Sequence, residues 1–190
     1  MLSDTDLKQA IESGWLKIEP LESSLLKPAG IGLRLGRKVF VEIERGIIDP
    51  LDQDSMDCYI ESGLDEGESF VIEPRHFALA QTYERVGLSK SFGAFIDGTS
   101  TVARLGISVT QTSTVIEPGH GWPTPQPITL ELANNGVNPV RLHYKMRIAT
   151  LVLFRLEQRA SRGYTEIGKY SDGAIRPKRA RHPHSPSDGI

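Results

Sequence analysis

The chain has 190 residues, enough for one domain with a substantial core, and a formal net charge of −2. That balance excludes the strong positive field of a dedicated nucleic-acid or anionic-membrane binder. A single cysteine, Cys58, excludes an internal disulfide framework and fits a reducing compartment.

The first element in chain order is a helix over SDTDLKQAIESG. Ser3 or Asp4 caps it, acidic residues occupy its first turn, Leu7, Ala10 and Ile11 share a face, and Gly14 ends it. The stretch after Met1 lacks the basic and apolar regions of a signal peptide, and no apolar run approaches the roughly 20 residues of a membrane span. A soluble, cytoplasmic protein without membrane contact is expected.

Beyond the helix the pattern becomes β. KVFVEI, SFVIEP, HFALAQT, FGAFID, GISVTQ, PITLEL, PVRLHY and IATLVLF follow one another, punctuated by Gly67, Pro74, Gly98, Pro118-Gly119 and Asn134-Asn135-Gly136. Many short strands without intervening helices predict a mainly β sandwich or barrel. GHGWPTPQP at 119–127 predicts a loop inserted before Ile128. RPKRARHPHSPSDGI at 176–190 is basic and Pro-rich, which predicts a flexible tail after a domain of residues 1–175. Such a tail is more simply a solvated terminus than a nucleic-acid arm.

Several chemistries are excluded. A zinc deaminase needs H-x-E and P-C-x-x-C, but Cys58 stands alone and His76, His120, His143, His182 and His184 lack ligand spacing. No G-x-S-x-G elbow, Walker A loop or dinucleotide fingerprint is present. A deaminase or hydrolase built on this chain must therefore activate water with a carboxylate.

Glu131 is the leading candidate. In PITLELANN, Ile128, Leu130 and Leu132 share one strand face, and Thr129, Glu131 and Ala133 the other. A strand glutamate ordinarily points to water; one sheltered beside a cation and a hydroxyl has its proton affinity tuned for acid–base work. On the glycine-flanked turn GTSTVARLG, Thr99, Ser100, Thr101 and Arg104 place hydroxyls, free amides and a guanidinium within a few residues. That set holds phosphate oxygens, or orients a carboxylate and a water. Arg104 alone also reads as an ordinary solvated arginine.

The order of these segments resembles the dCTP deaminase branch of the dUTPase-like superfamily, from Met1 to about Ala174. MLSDTDLKQAIESGWLKIEP, PAGIGLRLG, GTSTVARLG, and ITLELANNG preceded by IEPG carry the likeness, and GKYSDGA is similar to the family's phosphate closure. The resemblance implies a distorted β-barrel of the dUTPase-like type with a short N-terminal helix. It implies a homotrimer whose active sites are shared between neighbours, a deoxycytidine triphosphate carried with Mg²⁺, and zinc-free deamination of cytosine. By motif, Glu131 takes a proton from water attacking C4 and returns protons as ammonia leaves. Ser100 positions the reacting groups, and Arg104 orients Glu131. Thr112 and Ser113 hold the water and base by backbone contacts, Glu117 lies near the sugar 3′-hydroxyl, and Lys169 and Tyr170 close over the triphosphate. Thr99, Thr101 and Tyr164 complete the expected substrate-binding set.

The chain departs from the pattern in several places. The Arg of G-R-S-S is Thr99, and losing one charge-assisted contact costs roughly 1.5–3 kcal/mol, or one to two decades in affinity. Gly32 stands where Asp is usual, Glu117 is one methylene longer than the family's Asp, the Gln after the K-Y pair is missing, and the 119–127 insertion adjoins the sugar turn. Two other readings follow from this drift: a dUTPase-like or bifunctional nucleotide hydrolase, and a non-catalytic trimeric nucleotide-binding protein.

Overall fold

The computed structural model describes residues 1–180. Its elements are α1 (Asp4–Glu12), β1 (Leu16–Glu19), β2 (Leu26–Lys27), β3 (Gly30–Glu42), β4 (Tyr59–Gly63), β5 (Ser69–Ile72), β6 (Phe77–Leu88), β7 (Phe92–Gly98), α2 (Ser100–Arg104), β8 (Ile107–Ser108), β9 (Val115–Ile116), β10 (Gln126–Asn134), β11 (Val140–His143), β12 (Arg147–Arg155) and α3 (Tyr164–Ile167). The mainly β architecture and the N-terminal helix are as the sequence predicts. In α1, Ser3 Oγ accepts from the Asp6 amide and the Asp6 carboxylate accepts from the Ser3 amide, a reciprocal cap, while Leu7 and Ala10 turn inward.

The main sheet runs β8-β10-β6-β3-β12-β7-β9, with β1 on β6 and β2 and β4 on β3; β5 and β11 form a separate pair. The sheet curls because β3 changes partners along its length. Ile31 to Arg34 pair with β12, whereas Leu35 to Val41 pair with β6 after a register shift. Gly36 lies at that shift, and a Cβ there would sit 2.7 Å from the carbonyl oxygens of Gln81 and Thr82, so only glycine admits the approach. Beside it the buried Glu84 carboxylate accepts from the Arg34 amide at 2.7 Å and from Arg34 Nε at 2.6 Å, with Glu22 on the same guanidinium at 2.7 Å. Breaking such a buried pair by removing one partner costs about 3–5 kcal/mol.

The concave side holds the core. Leu33, Leu35, Val39, Ala80, Leu130, Leu132, Ile148 and Leu151 are buried there, each large aliphatic side chain contributing about 1.5–3 kcal/mol. The other face of β3, β4 and β6 carries a second apolar cluster of Phe40, Cys58, Tyr59 and Leu79, covered by Ile175 from the C-terminal segment. Burial pushes the Cys58 thiol up, so it packs as a small apolar group.

Three local expectations need correction. The glycine-flanked turn at 99–106 contains a short helix, α2, with Thr99 as its N-cap. The strand expected at GISVTQ shrinks to Ile107–Ser108, and the strand after the 119–127 loop begins two residues early, at Gln126. From the tail, Arg176 pairs with Asp57 at 2.9 Å, Gln53 Nε2 donates to the Pro177 carbonyl, and the Ala180 amide donates to the Pro50 carbonyl. The remainder of the tail expectation, with His182 and His184, lies outside the described residues. Among the described residues, no helix is long and apolar enough to cross a membrane.

Candidate active site

A cleft of about 480 Å³ opens on the outer face of β4, β6 and β10. The alternation of β10 creates its floor. Ile128, Leu130 and Leu132 point into the core, which leaves Thr129 and Glu131 facing outward beside Phe77, Leu79 and Tyr59. Glu131 sits opposite Leu79 on β6, and Leu79 opposite Phe40 on β3, so the carboxylate rises from an apolar row. The remaining lining comes from the 113–120 segment, from Tyr164 and Tyr170, and from Gly173, Ala174, Ile175 and Pro177.

Glu131 is fixed by main chain. Its Oε2 accepts from the Gln111 amide at 2.9 Å, while its own amide donates to the Val109 carbonyl at 2.9 Å. The segment leading to Ser113 is thereby tied to the carboxylate. Burial pushes the Tyr59 hydroxyl up, and the charges of Glu42, Cys58 and Glu131 push it further, so Tyr59 stays a neutral donor next to the acid.

The wall at 117–121 docks tightly onto its neighbours. The Tyr164 amide donates to the Pro118 carbonyl at 2.7 Å. A Cβ on Gly119, whose φ is +86°, would lie 2.6 Å from Gly163 Cα, so glycine sets this approach. The His120 and Tyr164 rings lie 5.7 Å apart. Burial pushes the His120 imidazole down to about 4, the Gln126 main chain partly offsetting it. Burial likewise pushes the Tyr164 hydroxyl up, with the Glu117 charge adding to the shift.

Of the residues singled out from sequence, Glu131, Ser113, Glu117, Tyr164 and Tyr170 line this one cleft. Thr112 is the exposed neighbour of Ser113. Lys169 lies at the edge, where its Nζ donates to the Lys178 carbonyl at 2.6 Å; Lys178 in turn clasps Asp172 at 2.7 Å, and its amide donates to the Tyr170 hydroxyl. Ser100, Thr101 and Arg104 lie on α2 and do not line the cleft within one chain. Arg104 borders a separate depression with Leu105 and residues 136–141, and among the described residues its guanidinium donates only to the Ser100 carbonyl, at 3.3 Å. Thr99 Oγ1 is buried without a hydrogen-bond partner among the described residues. Among the described residues no three His, Cys, Asp or Glu side chains gather to hold a metal ion.

Sequence reasoning missed Tyr59, Phe77, His120 and Gln126 as lining residues. Tyr59 and Phe77 carry only a strand signal, and their place in the cleft follows from long-range pairing. His120 had a visible cue, a histidine between two glycines in the inserted loop.

A family model described as dCTP deaminase-like matches residues 1–156. The chain is 36% identical over 188 residues to a Methanothermobacter thermautotrophicus protein named dCTP deaminase, dUMP-forming, covering 95% of this chain and 93% of that one. It is 38% identical over 188 residues to a Natronomonas pharaonis protein named dCTP deaminase, covering 95% and 94%. Among solved structures it is similar in fold to 2′-deoxycytidine 5′-triphosphate deaminase from Agrobacterium tumefaciens, with TM-score 0.59 and 21% identity; the likeness covers 80% of this chain and 46% of that longer one. The helix cap, the curled antiparallel sheet, the outward-facing glutamate of β10 and these matches agree: the chain belongs to the dCTP deaminase-like family.

Proposed function

We propose that the chain deaminates the cytosine of dCTP, forming dUTP and ammonia, with Glu131 as the group that activates water. The observation that carries this reading is the placement of Glu131, the one outward acid of β10, in the cleft and held by the Gln111 amide. Water attacks C4 as Glu131 takes its first proton and passes it to ring N3; the carboxylate then takes the second proton from the new C4 hydroxyl and hands it to the amine, and the C4–N bond breaks to release ammonia. The apolar floor of Tyr59, Phe77 and Leu79 suits a flat pyrimidine, which on binding displaces water from beside the acid. Mg²⁺ enters on the nucleotide phosphates, as part of the substrate.

The site is completed between copies in a homotrimer. Ser100 and Arg104 of one copy stand exposed on α2, and among the described residues the guanidinium donates only to a carbonyl of its own turn, which suits it to steady Glu131 of a neighbour. An apolar patch of Phe95, Val115 and Phe154, with Phe95 and Val115 each 48% exposed, adjoins the Glu117 turn and suits contact with a second copy.

A second reading, a bifunctional enzyme that also cleaves the phosphate chain to dUMP, is favoured by the name of the Methanothermobacter relative. Incubation with dCTP and Mg²⁺ followed by product analysis separates the two. dUTP plus ammonia is the expected result; dUMP plus pyrophosphate establishes the bifunctional reading, and unchanged dCTP overturns both.

A further inference from the structure

The segment that follows α3 contributes Tyr170, Gly173, Ala174, Ile175 and Pro177 to the cleft, and Ile175 packs with Phe40, Tyr59 and Leu79 of the sheet. The segment closes on itself at Tyr170, whose hydroxyl accepts from the Lys178 amide at 3.0 Å. Three side chains tie it to the rest of the domain. Gln126 Nε2 donates to the Ser171 carbonyl at 3.2 Å, and Asp57 pairs with Arg176. Gln53 meets the main chain twice: Nε2 donates to the Pro177 carbonyl at 3.1 Å, and Oε1 accepts from the Arg179 amide at 2.8 Å.

These ties constrain the segment unequally. The Arg176 and Asp57 side chains are 48% and 59% exposed, and such pairs contribute little. Gln53 offers a donor and an acceptor from one planar group, which neither a carboxylate nor an ammonium can do, so it fixes both the position and the direction of residues 177–179. Its own turn is pre-set. The Asp49 carboxylate accepts from the Leu51 amide at 2.8 Å, Ser55 Oγ accepts from the Asp49 amide at 2.9 Å, and the buried Met56 donates its amide to the Gln53 carbonyl. Gln53 itself does not line the cleft.

Resting on the dCTP deaminase reading, we infer that Gln53 is a positioning residue for the reaction: it holds residues 173–177 against the cleft and through them sets how tightly the nucleotide binds. The connection between β3 and β4, residues 43–58, is thereby part of the substrate-binding apparatus although it does not reach the nucleotide. Seating of the segment and binding are linked, so a seated segment that favours nucleotide is itself favoured by bound nucleotide, by the same factor. Loosening the segment lowers the fraction of molecules ready to bind and weakens affinity in proportion. The step at Glu131 is unchanged once the nucleotide is in place.

Hydrogen exchange of the 171–180 amides tests this on the wild type, Gln53→Ala and Asp57→Ala, with calorimetry and ammonia release from dCTP and Mg²⁺ run alongside. In the wild type, dCTP is expected to slow exchange of the Arg179 amide. Gln53→Ala is expected to bind dCTP about tenfold more weakly, the worth of one hydrogen bond, with kcat within about twofold of wild type. Its 173–180 amides are expected to exchange faster than wild type, and saturating dCTP to reverse that, which a residue that only supports the fold would not show. Asp57→Ala is expected to change affinity less than about twofold. Arg179 exchange in the wild type that ignores bound dCTP, unchanged affinity in Gln53→Ala, or an equal loss in Asp57→Ala overturns the inference and leaves the deaminase reading standing. Release of no ammonia from dCTP by the wild type overturns both.

Discussion

Glu131 Oε2 lies 2.9 Å from the Gln111 amide, so within one chain the carboxylate of β10 is steadied by main chain and not by Arg104. A site finished by a neighbour's Arg104 has a consequence for mixed assemblies. Glu131→Gln and Arg104→Ala are each expected to be inactive alone. Unfolded and refolded together, they regain activity, because about a quarter of randomly mixed sites then combine an intact Glu131 with an intact Arg104. Ammonia release from the co-refolded mixture is the measurement. Silence from mixed trimers shown to have formed would place both residues in one subunit's site.

Acid weakens this fold through His120. Its imidazole sits at about 4 when folded against an ordinary 6.5, so between those values the unfolded chain binds the extra proton. Stability from this group is complete above pH 6.5 and is lost as pH falls toward 4. The gap of roughly 2.5 pK units corresponds to about 3 kcal/mol. Urea unfolding across that range, compared with His120→Asn, isolates the effect. Parallel stability curves for the two proteins would show that the ring is not sheltered as described.

Gly119→Ala forces a Cβ against Gly163 Cα at a backbone angle of φ +86°. We expect a loss of about 1–3 kcal/mol in stability, together with weaker nucleotide binding as Tyr164 moves from the cleft wall. Thermal unfolding and calorimetry report the two effects separately. An alanine variant with wild-type melting would mean that the 118–120 and 163–164 segments part easily.

Thr99→Val removes a buried hydroxyl that has no partner among the described residues and keeps the side-chain shape. The unliganded protein is expected to gain about 1 kcal/mol. Since Thr99 makes no side-chain cap bond to α2, no helix contact is sacrificed. A lower denaturation midpoint for the valine variant would show that the hydroxyl has a partner in solution.

How much of this could be read from residues alone depends on the range of the interaction. The alternation of Ile128, Leu130 and Leu132 with Glu131 is local, so the outward acid is legible in the sequence. The same holds for the Ser3–Asp6 cap. In the sequence α2 reads as a turn because glycines bracket it and only five residues of helix form between them, too few for a periodic signal. Tyr59 enters the cleft only because β4 pairs with β3, and β3 with β6. The contact of Arg176 with Asp57 spans 119 residues and leaves no mark in the composition of either segment. His120 belongs between these cases, since its glycine-flanked loop is visible in the sequence and the burial of its ring is not.

The central claim is that one carboxylate activates the water. Its most direct test is ammonia release from dCTP and Mg²⁺ by wild type and Glu131→Gln, with nucleotide affinity measured on both. The account predicts ammonia and a uracil nucleotide in equal amounts from the wild type, and a variant that binds dCTP with turnover reduced by at least about a hundredfold. Wild-type turnover in Glu131→Gln contradicts it.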